Sequence, residues 1–388
     1  MDLHLQKISV AYEYPVLYTS DLFSPENSAL LSVTSRREPH RRHRIVALVD
    51  QEVQTAWPSL TDDIQRYAEH HQGQLQLAGA PIVLAGGEAV KNDPAGVARL
   101  HAEFNTAGMD RHSFVMIVGG GALLDMAGYA AATAHRGLRL IRVPTTVLAQ
   151  NDAGVSVKNG INAFGKKNFV GTFAPPFAVL NDGKFLGTLS RRDRIAGMAE
   201  AVKAALIRDG EFFNWMVGRA HLLESGDPEC LAYLIRRCAE IHLDQIAGSG
   251  DPFETGCGRP LDFGHWAAHK LEALTHYRLR HGEAVALGVA LDTVYSVHAG
   301  FLDAQSGERV LDLLMHLGLP LWDEALGNPG LLDGLTEFRE HLGGELTITL
   351  LHDLGKGFEV HAIREDVVRQ SIAQLHRRST RAVSSSSA

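Results

Sequence analysis

The stretch Ser113-Phe-Val-Met-Ile-Val118, followed by Gly119-Gly-Gly-Ala-Leu-Leu-Asp125, constrains the fold of this chain more than any other. An apolar run without alternation reads as a strand buried on both faces, and such strands belong to parallel sheets covered by helices on either side. Three glycines then end the strand, and an Ala-rich segment with helical composition continues to His135. Glycines there let backbone N–H groups approach a pyrophosphate at the positive end of the following helix. The run lacks the GxGxxG spacing, so a tight connection and a phosphate cradle both remain open on these residues alone.

The neighbouring segments repeat the strand–helix pattern. Arg44-Ile-Val-Ala-Leu-Val-Asp50 predicts a buried strand ending in a carboxylate, from which Asp50 can reach a ribose hydroxyl. A helix is expected over 64–71, a strand over 82–85 ending in Gly86-Gly-Glu88 with Lys91 beyond, and a helix over 95–107. Strands are expected over 138–143, leading into Pro144-Thr-Thr-Val-Leu148, and over 177–180. Residues 1–20 alternate apolar and polar (Ile8, Val10, Tyr12, Tyr14, Val16), which predicts a strand or hairpin. From Asp152 through Lys158 to Phe164-Gly-Lys166-Lys167-Asn168 the chain is polar and rich in Gly and Asn. This predicts a loop offering cations to an anionic substrate. A boundary is expected at Asn181-Asp-Gly, because from Arg191 the periodicity is helical, over 195–206, 212–223, 231–246, 307–317 and 367–375. One strand interrupts at 345–351. The expected division is an α/β domain over 1–183, a helical domain over 184–376 and a disordered Ser-rich tail over 377–388.

Composition adds exclusions. A net charge of −8 offers no nucleic-acid surface, and the one basic run (Arg36-Arg37, Arg41-Arg42-His43-Arg44) reads as a solvated loop. Cys230, Cys238 and Cys257 show no CxxC spacing, so neither a disulfide framework nor a cysteine zinc site is expected. With no apolar run of membrane-spanning length and no signal pattern, a cytoplasmic protein is expected.

The chemistry-bearing residues concentrate between Arg259 and Glu283. His265 and His269 stand four apart, so a helix places them on one face, and His281 opens a further helix. Three histidines so close in sequence suggest a metal site, while an i,i+4 pair also occurs as a plain polar pair. Glu200 and Lys203, three apart on an apolar helix, admit two readings. They form an i,i+3 ion pair, or Glu200 completes a Glu/His/His set with one open position, as at catalytic zinc.

Taken in order, these runs resemble the 3-dehydroquinate synthase family of sugar phosphate cyclases. The matching runs are Gly87-Glu88-x-x-Lys91, Gly119-Gly-Gly-x-x-x-Asp125, Arg136-Gly, Val143-Pro-Thr-Thr-x-Leu148, Asp152 with Lys158, Gly165-Lys166-Lys167-Asn168, Met198-Ala-Glu200-x-x-Lys203, Phe263-Gly-His265-x-x-x-His269 and His281-Gly-Glu283. Gly250-Asp-Pro-Phe-Glu, with Arg259-Pro-Leu-Asp-Phe-Gly-His, resembles the divergent EboD-type branch within that family. The resemblance implies a Rossmann-like NAD domain followed by a mainly α-helical metal-binding domain, a catalytic divalent metal (zinc or cobalt) and a homodimer. By position it implies Glu200, His265 and His281 as metal ligands. Asp50, Glu88, Lys91, Gly119, Gly120, Gly121, Asp125, Thr145, Thr146, Leu148, Lys167, Phe185, Thr188 and Leu189 match cofactor positions. Asp152, Lys158, Asn168, Lys203, Asp262 and His269 match substrate positions, and Arg136 matches an arginine that reaches the substrate phosphate across the dimer interface. The implied chemistry is oxidation of a hydroxyl by NAD, phosphate elimination, reduction and intramolecular aldol closure, which makes the enzyme a carbon–oxygen lyase.

Three positions depart from the family pattern. Asp262 replaces an Asn, Gly258 replaces an Arg now displaced to Arg259, and His242 falls near the place of a Lys. In the parent enzyme this part of the pocket faces a substrate carboxylate, which a lost guanidinium and a new carboxylate both disfavour. The expected substrate is therefore a sugar phosphate without that carboxylate, such as sedoheptulose 7-phosphate. The alternatives are 3-dehydroquinate synthase proper and a metal-dependent polyol or alcohol dehydrogenase of the same superfamily. Arg339 and His341 replace a basic run of the family and are alternatives for a further phosphate contact.

Overall fold

The computed structural model describes residues 3–249, 251–254, 261–341 and 344–386. Cys257, Gly258 and Arg259 lie outside the described residues, as does the side chain of His341. The chain divides into two compact units. One comprises the residues up to Pro144 with Val157–Asp182, the other Thr145–Ser156 with the residues from Gly183 onward.

The strands of the first unit are β1 (Val16–Thr19), β2 (His43–Asp50), β3 (Leu75–Leu77), β4 (Ile82–Leu84), β5 (Phe114–Gly119), β6 (Arg139–Pro144), β7 (Lys158–Ala163), β8 (Lys166–Phe173) and β9 (Ala178–Asp182). Seven of them form one sheet in the order β1-β9-β6-β5-β2-β3, with β4 pairing on β2 beyond β3. Every pairing in it is parallel, and β5 is buried throughout, as its unbroken apolar run requires. From β2 the chain runs outward to β3 and β4, then returns as β5 on the other side of β2. That reversal puts the C-terminal ends of β2 and β5, with Asp50 and Gly119, at the switch point where open α/β sheets bind ligands.

Two expectations fail in this unit. Residues 3–15 form no strand, and only Val16–Thr19 pair, with β9. Alternation supplies a candidate face, but a strand also needs a partner edge, and Leu3, Leu5, Ile8 and Val10 are left exposed. The polar segment expected as a loop is an antiparallel hairpin, β7 with β8. Phe164 (φ 53°) and Gly165 (φ 73°) close it, both in the left-handed region as a type I′ turn demands. Phe rather than Asn or Asp before the glycine hid the usual turn signal.

The second unit is helical around one long core helix, His281–His298, buried on nearly all sides. Around it stand Arg191–Ala196, Met198–Arg208, Gly210–Ser225, Pro228–Gly248, His265–Leu274, Ala304–His316 and Glu365–Ser386. Several starts are fixed by acidic caps: Asp209 accepts from Phe212 N and Asp227 from Cys230 N, both at 2.9 Å. The helix expected over 195–206 breaks at Gly197, where a Cβ would lie 2.5 Å from Leu148 N. The late strand is one arm of a hairpin, β10 (Ile348–Asp353) with β11 (Lys356–Val360). The last helix continues to Ser386, so residues 377–386 are helical where a disordered tail was expected. Arg378 holds that extension to Asp312 at 2.6 Å and to Glu308. Cys230 and Cys238 are buried free thiols. Among the described residues no helix is long and apolar enough to cross a membrane.

Asp182, at the end of β9, is fully buried and accepts from Asp21 N (3.1 Å) and Leu22 N (2.8 Å). Asp182→Ala strands the buried Leu22 donor and the half-buried Asp21 donor, so unfolding free energy should fall by roughly 1–3 kcal/mol. Urea denaturation will read this as a lower midpoint at an unchanged slope.

Candidate active site

Glu200 lies on Met198–Arg208, a helix buried from Met198 to Ile207. His265 and His281 are the first residues of their helices. Oε1 of Glu200 lies 3.2 Å from Nε2 of His281 and 3.5 Å from Nε2 of His265. Two ligands each about 2.1 Å from a tetrahedral ion stand about 3.4 Å apart, so this spacing fits one divalent ion. The Lys203 ammonium faces the other oxygen, Oε2. Oε1, buried and with no hydrogen bond, is left to the two imidazoles. The two readings of Glu200 are thus compatible, one oxygen serving each.

The outer ring nitrogens are also engaged. His265 Nδ1 lies 3.2 Å from the Phe263 carbonyl oxygen, and His281 Nδ1 lies 3.2 Å from Glu272 Oε2. Such partners keep the proton on Nδ1 and turn the Nε2 lone pair inward, the arrangement that supports metal-bound histidine.

Glycines set how closely these helices approach. Gly264 has φ 77°, and a Cβ there would lie 2.5 Å from Val289 N and 2.6 Å from Gly288 C. Gly288 in turn packs on the Gly264 carbonyl oxygen, and Gly282 packs on that of Ala196, each without room for a Cβ. Glu283 then fixes the start of the His281 helix, accepting from Arg280 N at 2.8 Å and from Arg192 at 2.6 and 2.7 Å. Asp292 brackets His265 by accepting from Gly264 N (3.1 Å) and Trp266 Nε1 (3.0 Å). Burial pushes the Asp292 carboxyl up to about 7, against those two donors.

Burial alone would raise the Glu200 carboxyl, yet Lys203, then His265 and His281, hold it well below the carboxylate range. Burial would likewise lower Lys203, but Glu200 and Asp152 hold its ammonium above the ordinary lysine range. Both therefore stay charged. Asp152, Glu200 and His242 form a second trio of close donor atoms, with Asp152 Oδ1 3.2 Å from His242 Nδ1. There a cation is already in place, since the Lys203 ammonium pairs with Glu200 and acts on Asp152. The Glu200–His265–His281 trio, where Oε1 of Glu200 faces the two imidazoles, is the candidate metal position among the described residues. Asp262 adds to the field at Lys203. The His269 ring stands 5.4 Å from that of His265 and 6.2 Å from that of His281, beside the trio but outside it.

In the first unit, Lys91 is 2% exposed and pairs with Asp125 at 2.8 Å, Glu88 at 3.8 Å and the amide oxygen of Asn168. Asn162 holds Glu88 at 3.1 Å. Four matched residues, Glu88, Lys91, Asp125 and Asn168, are thereby brought together, whereas Lys158 stands exposed at the start of β7 and Lys167 is half-buried on β8. Gly120 precedes the helix Gly121–Thr133 and, as a glycine, supplies no side-chain cap to its amides. At Gly119 a Cβ would come within 2.8 Å of Leu123 and 3.1 Å of Asp50. Asp50 itself is buried and caps the next helix, accepting from Glu52 N at 2.9 Å, while its carboxylate also lies against Gly86 and the Gly120 amide. Arg136 is exposed, with φ 63°, at the end of the 3-10 turn Ala134–Arg136.

The remaining cofactor candidates lie in the second unit. Thr146 Oγ1 accepts from Ala149 N at 3.0 Å, between the buried Thr145 and the half-buried Leu148. Thr188 Oγ1 donates 2.7 Å to the carbonyl of buried Phe185, one residue before Leu189. Arg339 is exposed.

Residues 81–196 match the 3-dehydroquinate synthase N-terminal family and residues 197–337 its C-terminal counterpart. The chain belongs to the 3-dehydroquinate synthase family. It is 40% identical over 259 residues to the 3-dehydroquinate synthase of Geobacter sp. (strain M21), spanning 66% of this chain and 71% of that one. It is 32% identical over 371 residues to the 2-epi-5-epi-valiolone synthase of Streptomyces glaucescens, spanning 94% and 92%. Its fold is similar to that of ValA, the 2-epi-5-epi-valiolone synthase of Streptomyces hygroscopicus subsp. jinggangensis 5008, solved with NAD+ and Zn2+ bound. That likeness has a TM-score of 0.85 at 28% identity, covering 96% of this chain and all of that one. The chain is thus a 3-dehydroquinate synthase-like sugar phosphate cyclase. Its architecture is the expected parallel α/β fold with a helical C-terminal part.

Glu272 and Asp292 were not singled out from the sequence. The available signal was the one that marked Glu200, a carboxylate on an apolar helix. Glu272→Gln should leave the fold intact and weaken zinc binding about 10–100-fold, read by competition with a chelator. Asp292 titrates near 7 in the folded chain and near 3.9 in an unfolded one. Its neutral form therefore stabilises the fold fully below about pH 4, and that contribution is lost as pH rises toward 7. The stability of the metal-free wild type minus that of Asp292→Asn should fall across this window and level off above it.

Proposed function

We propose that this chain is an NAD- and divalent-metal-dependent cyclase acting on a sugar phosphate that lacks the carboxylate of the shikimate substrate, such as sedoheptulose 7-phosphate. The observation carrying the proposal is the convergence of Glu200, His265 and His281 beside a lysine that Glu200 and Asp152 keep charged. When bound, NAD supplies a reversible hydride acceptor for a secondary hydroxyl, and the divalent ion supplies a Lewis acid at that oxygen.

The residues of the chain bind, orient and compensate charge. Glu200, His265 and His281 hold the ion and leave a fourth position for a substrate oxygen. Lys203 donates to a substrate oxygen as negative charge develops there, and being held protonated it needs no reorganisation to do so. Asp152, paired with His242 at 3.2 Å, accepts from a substrate hydroxyl. His269 lies beside the same position. Lys158 and Asn168 offer donors to the phosphate, and Arg136 serves the phosphate held by a second copy in a homodimer. Gly119, Gly120 and Gly121 give the NAD pyrophosphate access to the amides of the following helix. Asp50, Glu88, Lys91, Asp125, Lys167, Thr145, Thr146, Leu148, Phe185, Thr188 and Leu189 complete the cofactor set.

Two observations support the choice of substrate. Asp262 is a carboxylate acting on Lys203, where the family carries an amide, and His242 is engaged with Asp152 instead of offering a lysine ammonium. The alignment with a 2-epi-5-epi-valiolone synthase over 94% of the chain points the same way.

Incubation with NAD, zinc or cobalt and a panel of sugar phosphates should release inorganic phosphate and form a carbocycle from sedoheptulose 7-phosphate, without stoichiometric NADH. Turnover restricted to the carboxylated sugar phosphate would reverse the substrate assignment, and NADH accumulating one for one would favour a dehydrogenase. His281→Ala should lose bound metal and at least about 100-fold in rate. Asp262→Asn combined with His242→Lys should shift preference toward the carboxylated sugar.

A further inference from the structure

Arg142 is fully buried in the middle of β6, on the same sheet face as Leu140. Its Nη2 donates 2.8 Å to the Lys158 carbonyl oxygen and 2.7 Å to Asn159 Oδ1. Asn159 in turn donates 3.2 Å to the carbonyl of Ala174, just past the end of β8. The same Asn159 oxygen lies against Gly128 on the helix Gly121–Thr133, where a Cβ would overlap it and would come 3.4 Å from Leu140. One guanidinium therefore ties the central sheet to β7, and through Asn159 to the residue that follows β8, at a point where the covering helix has given up a side chain. An apolar residue would occupy this place without the cost of burying a charge, so the arginine is there for its partners: the two acceptors it grips and the Asp125 carboxylate that acts on it.

Lys158 is exposed at the first position of β7, and the grip on its carbonyl sets where its side chain begins. We propose that Arg142 is a positioning residue, holding the base of the hairpin so that Lys158 is presented to the substrate. This rests on the assignment of Lys158 to substrate in the proposed reaction. Arg142 itself touches neither substrate nor cofactor in this scheme.

The test uses the full chain loaded with zinc and NAD. In Arg142→Met, backbone amides of Lys158–Ala163 and Lys166–Phe173 should exchange with deuterium about tenfold faster or more, while those of β5 keep the wild-type rate. kcat/KM for the sugar phosphate should fall roughly 10–100-fold at unchanged metal content, as expected of a misplaced substrate contact. Arg142→Lys should recover part of the loss, because an ammonium can serve one of the two acceptors. Gly128→Ala should shift both readouts in the same direction by displacing Asn159, and it carries the test if Arg142→Met does not fold. Wild-type exchange in the hairpin of a folded Arg142→Met protein would overturn the proposal, as would a loosened hairpin with unchanged kcat/KM. A wild type that turns over no sugar phosphate would overturn the functional reading and with it the role of Lys158. The exchange result would then still decide whether Arg142 holds the hairpin.

Discussion

The contact on which the candidate metal centre depends is one of bare backbone. Gly264 and Gly288 let the loop before His265 and the helix that begins at His281 meet with no side chain between them. Gly282 does the same against Ala196, two residues before the helix that carries Glu200. Donor atoms 3.2 and 3.5 Å apart come here from three separate helices whose segments meet in main-chain contact. A Cβ at any of these glycines pushes apart the elements whose separation defines the site. The dyads Gly-His and His-Gly thus set each candidate ligand beside the glycine that permits its close approach, and Glu283 adds the cap that keeps the second histidine at a helix start.

Charge is arranged with the same economy. A carboxylate buried on an apolar helix would be prohibitively costly alone, and Glu200 is not alone. Lys203, one turn on, neutralises it from one side, so the helix folds with its own counter-ion, while the oxygen facing His265 and His281 is available to a second cation. The nearby trio of Asp152, Glu200 and His242 differs from the candidate metal trio in what already faces it. Both trios are compact, but one already has a lysine ammonium among its carboxylates.

The sequence was most informative where a single residue type has few physical excuses. The unbroken apolar β5 run could only be a strand covered on both faces, and Glu200 on an apolar helix had to have partners. Reading failed where local chemistry did not carry the outcome. The alternating residues 3–15 look like a strand but have no edge to pair with, and pairing is a property of the sheet. The β7–β8 hairpin looks like a loop because its inward face is polar. Asn159 is buried against Arg142 and Asn162 is bonded to Glu88, so the segment is held by polar contacts to distant residues and not by an apolar pattern. Glu272 and Asp292 were hidden for a related reason, since each matters through a partner on another helix.

The balance of charge around Lys203 bears on which sugar the site accepts. Glu200, Asp152 and Asp262 all act on that one ammonium, which leaves an excess of about two negative charges. A divalent ion at the histidine trio would bring the local sum close to zero. A substrate carboxylate delivered to this region would then meet Asp262 where the family offers an amide, and an imidazole engaged by Asp152 where it offers a lysine. In a partly buried setting such a like-charge encounter is weakly screened. A hydroxymethyl group in the same place has no charge to repel and can donate to the carboxylate that would have excluded its anionic counterpart.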